Sequence, residues 1–334
     1  MNFRSYSAYL KEKYGAPAYR VAVDAGFSCP NRADGRGGFG CSFCDEAGSR
    51  AVYTRNDNGT YPELEMFQPC GLPGFPPGYS SASVRSQIER GMAFLQRRYG
   101  ARIFLLYFQA YSNTYAAPDI LKQIYDDALA AAVFSELIVS TRPDCLNPEK
   151  ADLLASYRRP DFDVWCELGL QTIHDKTLAA IRRGHTYADF LRAFTWLQER
   201  KIKTAVHLIF GLPGEGRNEL DRTIDEINRL RPDAVKIHNL QIPVGTPLFE
   251  QLKRGEVKQY TMEEHLENTV YALSRLDPAI LIMRLTCDIM QSQRENNSGF
   301  WKKGTFLAEL NRRLSVTDSL FTAQSKTSTF PSIP

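Results

Sequence analysis

The chain has 334 residues, of which 43% are hydrophobic, and its formal net charge is +3 at pH 7. A chain of this length buries a large core, and a single barrel-like domain of this size is ordinary. No apolar run reaches the roughly 18 residues that a membrane span needs. A charge this close to neutral does not favour a strongly electrostatic nucleic-acid binder, although a local basic face would suffice. We therefore expect a cytoplasmic protein with no membrane partner.

Short runs rich in β-branched and aromatic residues alternate with helical patterns along most of the chain. The predicted strands are residues 19–25, 102–108, 136–141, 163–170, 203–210 and 234–241. Between them apolar residues recur at helical spacing, and this alternation is typical of parallel strand–helix units. Thr261 and Glu264 form a capping box that predicts a further helix. Residues 280–286 predict an additional strand.

Three cysteines near the N-terminus, Cys29, Cys41 and Cys44, lie within sixteen residues and are joined by a glycine-rich loop. Thiolates suit Fe–S clusters and zinc, and glycines let the backbone approach a cluster closely. Three protein ligands to four irons would leave one iron open to an external molecule. A [4Fe–4S] cluster is therefore the leading interpretation, with residues 26–48 as the cluster loop.

Two other interpretations of these cysteines stay open. Structural zinc usually takes four protein ligands, and the candidates for a fourth are poor, because Cys70 lies in a Pro/Gly-rich stretch and His174 is far along the chain. Disulfides are the other alternative. Seven cysteines are an odd number, and a chain with no apparent secretory signal fits a reducing compartment better.

Phe43 directly precedes the last of these cysteines. An aromatic residue has the same place in the CxxxCxΦC motif of the radical SAM superfamily, and the chain resembles this superfamily. The spacing of eleven residues between Cys29 and Cys41 resembles that of one branch of the superfamily. This branch contains the Elongator catalytic subunit and its shorter bacterial relatives. The resemblance covers most of residues 15–290. It includes the motifs STRPDCL at 140–146, ELGLQT at 167–172, RRGHT at 182–186, HLIFGLPGE at 207–215, VKIHNLQIPVGTPLFEQLKRG at 235–255 and MRLTCDI at 283–289.

The resemblance implies an α/β fold, the partial (β/α)6 TIM-like barrel of radical SAM enzymes, over residues 1–290. Residues 56–79 would be an inserted loop, residues 291–315 a C-terminal helical extension, and residues 316–334 a mobile tail. In such barrels chemistry gathers at the carboxyl ends of the strands, where the cluster loop would lie.

The resemblance also implies contacts to S-adenosylmethionine (SAM). Phe43 occupies the family's aromatic position. The chain lacks the GGE-type motif that holds the methionyl amine, and Gln109, Ser112 and Asn113 would replace it. A turn in which Ser and Asn satisfy local backbone groups is the equal alternative for that segment. Arg142 suits the methionyl carboxylate, or else a salt bridge with Asp144.

Strands four and five complete the expected SAM site. Glu167 and Gln171 would hold ribose hydroxyls, although a buried acid such as Glu167 is otherwise found in an internal ion pair. Gly211, in GLPGE, would let the backbone approach adenine or ribose, and a plain βα turn is its alternative. His185 is the better functional candidate among the histidines, because it follows a helix in a loop.

The activity implied by the resemblance is reductive cleavage of SAM to a 5′-deoxyadenosyl radical, which abstracts hydrogen from a substrate. The cofactors are a [4Fe–4S] cluster and SAM, and the electron comes from a reductant such as flavodoxin or ferredoxin. The branch implies a tRNA substrate and remodelling of a wobble-uridine C5 substituent, since no acetyltransferase domain follows. A radical SAM enzyme of a small metabolite and a non-catalytic Fe–S or zinc protein are the alternatives.

Overall fold

The structure, a computed structural model, describes residues 3–32, 40–44, 74–76, 79–287 and 302–327, with side chains as far as 315 in the last segment. Cys70, most of the predicted 56–79 insertion, and parts of the 26–48 loop lie outside these residues. Seven parallel strands form one curved sheet in the order β1 to β7. They are β1 Ala18–Val23, β2 Ile103–Phe108, β3 Glu136–Thr141, β4 Asp163–Gln171, β5 Lys203–Phe210, β6 Ala234–Asn239 and β7 Leu281–Arg284.

Helices connect the strands and cover the outer face of the sheet. They are α1 Tyr6–Tyr14, α2 Ser81–Tyr99, α3 Pro118–Leu129, α4 Pro148–Ser156, α5 Asp175–Ala180, α6 Tyr187–Glu199, α7 Arg217–Leu230, α8 Pro247–Lys253, α9 Met262–Arg275 and α10 Lys303–Thr327. The predicted α/β barrel fold is confirmed, with the strand at 280–286 as the seventh parallel strand. The expected domain boundaries stay a prediction, and α10 continues into the stretch predicted to be the tail.

The main core lies between the sheet and the helices, as the apolar spacing predicts. Helix α2 buries Val84, Ile88 and Leu95 against it, and α7 buries Leu220 and Ile224. Because these residues recur every three or four positions, each helix presents one apolar stripe to the outward-facing strand residues.

Capping fixes where two of the helices begin. At α9, the Thr261 hydroxyl accepts from the Glu264 N–H and the Glu264 carboxylate accepts from the Thr261 N–H, which is the predicted capping box. The same arrangement joins Thr186 and Asp189 at the start of α6. Each box satisfies donors that a helix N-terminus otherwise leaves unpaired.

The inner face of the sheet encloses a lumen whose amino end is plugged by α1. Tyr6 of α1 meets Trp165 edge to face, with the ring centroids 5.3 Å apart. Glu136 accepts hydrogen bonds from Tyr6, Lys13 and Tyr14 at 2.7 to 2.9 Å. The plug therefore leaves the opposite, carboxyl end as the open mouth of the barrel.

Candidate active site

The three loop cysteines lie over the carboxyl mouth of the barrel. Cys41 is buried, whereas Cys29 and Cys44 are partly exposed. The segment is held on both sides, because the Ser42 N–H donates to the Ile181 carbonyl at 2.9 Å and the Ser42 carbonyl accepts from the Leu248 N–H at 2.9 Å. These bonds fix Cys41 and Cys44 between the end of α5 and the start of α8.

Guanidinium and amide groups surround the thiols. Arg183 Nη1 lies 3.4 Å from Cys41 Sγ, Arg32 Nη2 lies 3.2 Å from Cys44 Sγ, and Asn31 Nδ2 lies 3.6 Å from Cys41 Sγ. Burial alone would raise the pKa of the Cys41 thiol, but the charge and hydrogen bond of Arg183 outweigh it and lower that pKa. Cys41 therefore favours the thiolate form that a cluster requires.

The cysteines away from the mouth have the opposite chemistry. Burial raises the pKa of Cys145 to about 12, and it also raises the pKa of Cys166. Both thiols therefore stay protonated at neutral pH and act as small buried apolar residues. In the part of the chain that the structure describes, no disulfide forms and no three His, Cys, Asp or Glu side chains are grouped as ligands of a single metal ion.

The loop after β2 carries the predicted amine-binding residues in a strained backbone. Ala110 and Tyr111 have φ of 71° and 57°, a conformation that costs a residue with a Cβ about 1 kcal/mol or more. The loop is held by the Asn113 side-chain amide, which donates to the Ser140 carbonyl at 2.8 Å and the Ala110 carbonyl at 3.2 Å. The Ser112 N–H donates to the Ser28 carbonyl at 3.2 Å, which ties this loop to the cysteine loop.

One polar atom of this loop is buried without a protein partner. Asn113 Oδ1 accepts no hydrogen bond among the described residues, whereas the Ser112 hydroxyl hydrogen-bonds to the Cys145 thiol, and neither side chain has solvent exposure. Unpaired buried polar atoms are rare, and they fit a bound amine or another polar ligand. Gln109, at the end of the strand, is partly buried. The binding roles of all three residues stay predictions.

Arg142 lies at the mouth and already has internal partners. Its guanidinium donates to both carboxylate oxygens of Asp144 at 2.9 and 2.8 Å, and Nη2 donates to the Arg183 carbonyl at 2.6 Å. Nη1 points toward Cys41 Sγ at 4.0 Å. The salt bridge with Asp144 is therefore present, and the predicted contact with a ligand carboxylate would have to use the Nη1 side.

Arg183 is a residue that the sequence interpretation missed. It lies next to the left-handed Arg182 and donates to Gly169 O at 2.8 Å and to His185 Nε2 at 3.0 Å. His185 accepts this bond as a neutral ring, since burial lowers its pKa to about 4. A Cβ on Gly169 would lie 2.5 Å from Arg183 Nη2 and 2.8 Å from Gln171 Nε2. The glycine therefore makes room for both side chains, and the RRGHT motif was the available signal for Arg183.

The other predicted SAM residues are distributed around the same mouth. Gln171 ends β4 with φ of 77°. Phe43 packs into an apolar cluster with Ile181, Ile209 and Leu240. Gly211 has φ of 86°, and a Cβ there would lie 2.9 Å from the Tyr260 ring, so a glycine is needed. Their contacts to SAM stay predictions.

Glu167 lies deeper, in the lumen, with four internal partners. Arg20, Tyr107, His207 and Lys236 donate to its two oxygens at 2.7 to 2.9 Å. Burial would raise its pKa, but the positive charges of Lys236 and Arg20 lower it well below the usual range. This is the internal ion pairing that the sequence left as the alternative, and the ribose contact of Glu167 stays a prediction.

Comparison with family models identifies the chain. Residues 35–227 match the radical SAM superfamily and residues 232–315 match the radical SAM C-terminal domain. The chain belongs to the radical SAM superfamily. It is therefore a radical SAM enzyme, and its cofactors are a [4Fe–4S] cluster and SAM. The zinc and disulfide interpretations of the cysteines are set aside on this finding.

Two relatives that match over most of their length carry names that state no activity. The chain is 33% identical over 286 residues to the uncharacterized protein MJ0486 of Methanocaldococcus jannaschii. The match covers 86% of this chain and 80% of that protein. It is 31% identical over 277 residues to protein YhcC of Escherichia coli, covering 83% and 81%. A tRNA uridine(34) acetyltransferase of Methanocaldococcus jannaschii is 33% identical over 156 residues, which are 46% of this chain and 28% of that enzyme.

Among solved structures, the archaeal Methanocaldococcus infernus Elp3 has the same fold. The TM-score is 0.61 at 20% identity, and the match covers 89% of this chain and 63% of that one. The chain thus spans less than two thirds of that protein. No helix within the described residues has the length and apolar character to cross a membrane.

Proposed function

We propose that this radical SAM enzyme modifies a wobble uridine in tRNA by abstracting hydrogen from the base or from its C5 substituent. The observation that carries the proposal is the three-cysteine loop over the barrel mouth, with Arg32 and Arg183 directed at its thiols. The similarity to a tRNA uridine(34) acetyltransferase over 156 residues supports the choice of substrate. The cytoplasm, where tRNA is modified, is the proposed location.

Cys29, Cys41 and Cys44 would hold the cluster, and the residues present fit it. The three thiols lie at one end of the barrel, and the positive groups beside Cys41 lower the pKa of its thiol and so favour its thiolate form. When bound, the cluster would supply one electron to SAM. Cleavage of SAM would then yield the radical that takes a hydrogen atom from the substrate. Arg32 and Arg183 would balance the negative charge of the thiolates and, through N–H contacts to sulfur, adjust the ease of reduction.

The chain's own residues would then hold SAM in place. The unpaired Asn113 Oδ1, with the neighbouring Ser112 Oγ, would accept from its amine, and the Nη1 side of Arg142 would meet its carboxylate. Gln171, beside the space that Gly169 leaves, would contact the ribose. Burial of these groups excludes water from the reacting atoms. A flavodoxin or ferredoxin would deliver the electron to the exposed side of Cys29 and Cys44.

Exposed basic residues offer candidate surfaces for RNA. Arg85, Arg97 and Arg98 of α2 face solvent, and Lys302 and Lys303 near the C-terminus are also exposed. Arg312 and Arg313 are engaged with Glu309 and Glu263. We propose that the tRNA-binding face includes α2.

Anaerobic reconstitution with iron and sulfide, followed by EPR of the reduced protein, tests the first part of the proposal. The wild type should give a [4Fe–4S]⁺ signal that changes shape when SAM is added. Cys44→Ala should lose the signal, whereas Cys287→Ala, which removes a cysteine outside the loop, should keep it. A signal that is unaffected by SAM in the wild type would contradict the SAM site.

The substrate is tested separately with tRNA from cells that lack the gene. Formation of 5′-deoxyadenosine should rise when this tRNA is added, and mass spectrometry should find an altered wobble nucleoside. The triple variant Arg85→Gln, Arg97→Gln, Arg98→Gln should weaken tRNA binding and leave tRNA-independent SAM cleavage intact. SAM cleavage without any tRNA binding would instead favour a small-metabolite substrate.

A further inference from the structure

Asn31 lies between the cysteine loop and the turn that carries the RRGHT motif, residues 182–186, which we call the RRGHT turn. Its side-chain Nδ2 donates to the Arg182 carbonyl at 2.6 Å and to the Arg183 carbonyl at 2.9 Å. The same nitrogen lies 3.6 Å from Cys41 Sγ. One side-chain amide therefore joins the cysteine loop to a turn that lies as many as 152 positions further along the chain.

Gly184 shows how closely Asn31 packs against this turn. A Cβ on the glycine would lie 2.1 Å from Asn31 Oδ1, far inside the contact distance of two atoms. Gly184 also has φ of 75°, which a residue with a side chain rarely adopts. A side chain at position 184 would therefore displace the Asn31 amide as well as strain the backbone.

The backbone and the side chain of Arg183 are both held in place. Its carbonyl accepts from Asn31 Nδ2 at 2.9 Å and from Arg142 Nη2 at 2.6 Å. Its guanidinium donates to the Gly169 carbonyl at 2.8 Å, and Nη1 lies 3.4 Å from Cys41 Sγ. A small movement of the RRGHT turn would therefore change the distance between the guanidinium and the sulfur.

This distance matters for the charge on the sulfur. A nearby positive charge, and N–H groups that donate to sulfur, stabilise the more negative redox state of an Fe–S cluster and so raise its reduction potential. Arg183 is only 8% exposed, so water screens its charge weakly. The effect of Arg183 on a cluster therefore depends on the residues that hold the RRGHT turn.

We propose that Asn31 is a positioning residue that holds the RRGHT turn, keeps the Arg183 guanidinium beside Cys41, and thereby sets the reduction potential of the cluster. Asn31 acts mainly through Arg183, because its own N–H contact to Cys41 is longer, 3.6 against 3.4 Å, and carries no formal charge. The inference goes beyond the proposed substrate. It rests on the proposed function only for the ligation of the cluster by Cys41.

The test is a redox titration of the reconstituted full chain, followed by EPR, without SAM or tRNA. Asn31→Ala should lower the equilibrium constant for one-electron reduction about tenfold, which is a fall of about 59 mV in potential. Asn228→Ala is the matched control, because its Nδ2 also donates to a backbone carbonyl, that of Arg275 at 2.8 Å, but away from the cysteine loop. An unchanged potential in Asn31→Ala would overturn the proposal.

Double variants separate positioning from a direct effect on the sulfur. Arg183→Gln should also lower the potential, and adding Asn31→Ala should lower it little further, because the charge that Asn31 positions is gone. Gly184→Ala should lower the potential of the wild type but not that of Asn31→Ala, where its Cβ no longer meets Oδ1. Gly15→Ala has a similar φ of 71° and meets nothing within 4 Å, so it controls for backbone strain. Fully additive effects of Asn31→Ala and Arg183→Gln would contradict the positioning role.

The RRGHT turn can also be measured without iron, should a variant not assemble the cluster. The N–H groups of Arg182 and Arg183 donate to the Ala179 and Leu178 carbonyls at 3.0 and 2.8 Å, so their hydrogen exchange reports how firmly the turn is held. In the apo chain this exchange should be about fivefold faster in Asn31→Ala and unchanged in Asn228→Ala.

Two outcomes distinguish the failure of this inference from that of the proposed function. Equal exchange in the wild type and Asn31→Ala would contradict the positioning role alone. Cys41→Ala should lose the cluster, and a cluster retained in that variant would contradict the ligand assignment and, with it, the link between Asn31 and the potential.

Discussion

The two ends of the barrel are built on opposite principles. At the amino end, Glu136 and Asp163 are shared among Lys13, Lys203 and the tyrosines of α1, so charges and hydrogen bonds are matched. At the carboxyl end, the backbone is left-handed at Ala110 and Gln171, and Asn113 Oδ1 has no partner in the part of the chain described. Left-handed residues occur at both ends, but within the described residues the carboxyl end combines them with a buried polar atom that a ligand can satisfy, whereas the amino end is organised for stability.

The largest effect expected at the carboxyl end comes from Gly169→Ala. Its Cβ would displace Arg183 and Gln171, which lie 2.5 and 2.8 Å away, and a displacement of about 1 Å at an active site costs about 100-fold in rate. Reductive SAM cleavage should therefore fall by about 100-fold. Gly304→Ala, where a Cβ meets nothing within 4 Å, is the matched control. An unchanged cleavage rate in Gly169→Ala would show that these two side chains do not position SAM.

The counterpart at the amino end is Glu136→Ala. Removing this fully buried carboxylate leaves Tyr6 without its acceptor, while Lys13 keeps Asp163 and Tyr14 keeps the Ser135 carbonyl, and a buried donor left unsatisfied costs about 1–3 kcal/mol. Denaturant unfolding should show this loss, while SAM cleavage by the folded fraction stays unchanged. Glu12→Ala, which breaks an exposed pair with Arg4, should cost less than about 1 kcal/mol. A large loss of cleavage in folded Glu136→Ala would mean that the two ends are not separable.

The pH dependence of the free energy of unfolding should report on a buried histidine in α9, His265. Burial lowers the pKa of His265 to about 4, so the folded state binds fewer protons than the unfolded state between pH 4 and 6.5. The contribution of His265 to the free energy of unfolding is therefore fully present above pH 6.5. It is lost as the pH falls toward 4, by about 1.4 kcal/mol per pH unit. His265→Gln should reduce the slope of unfolding free energy against pH by about that amount. His174→Gln, at a partly buried histidine, is the control, and an equal change of slope in both variants would contradict the assignment to His265.

The smallest effect concerns backbone strain. Ala110→Gly relieves a left-handed residue and should raise the free energy of unfolding by about 0.5 kcal/mol, after the cost of a more flexible unfolded chain. It should also weaken SAM binding, because the loop that carries Ser112 and Asn113 becomes less rigid. Lys201→Gly relieves similar strain (φ of 54°) before β5 at the amino end and should leave SAM binding unchanged. Equal SAM affinities in both variants would argue that strain at the mouth has no role in binding.

The fold could be predicted from the sequence because local patterns and global arrangement agree. The predicted strands lie within two residues of those observed, and the Thr261–Glu264 box marks the start of α9. The spacing of apolar residues along a helix or strand reflects which of its faces is buried, and this spacing is visible within a short stretch of the chain. A single sequence is therefore enough to predict these elements.

The site was less predictable, because its contacts join distant parts of the chain. Nothing in the sequence near Cys41 indicates that Arg183 will lie 3.4 Å from its sulfur, 142 positions further on. Glu167 was placed correctly on a buried strand, but its partners come from four other strands and have no local signature. Left-handed Ala110 and Tyr111 were also invisible, since neither residue type favours that conformation.

A parallel bridge between Ser5 and Ile282 joins the segment before α1 to β7, and it bears on the order of folding during synthesis. Each strand pairs with its neighbours in the sequence, so the sheet can grow as the chain leaves the ribosome. Helix α1 is made before the seven strands, yet part of its docking surface belongs to β7, which is made after the other six. The loop that the bridge closes spans nearly the whole barrel and carries a correspondingly large entropic cost. Helix α1 therefore reaches its final position only after the sheet that follows it has been made.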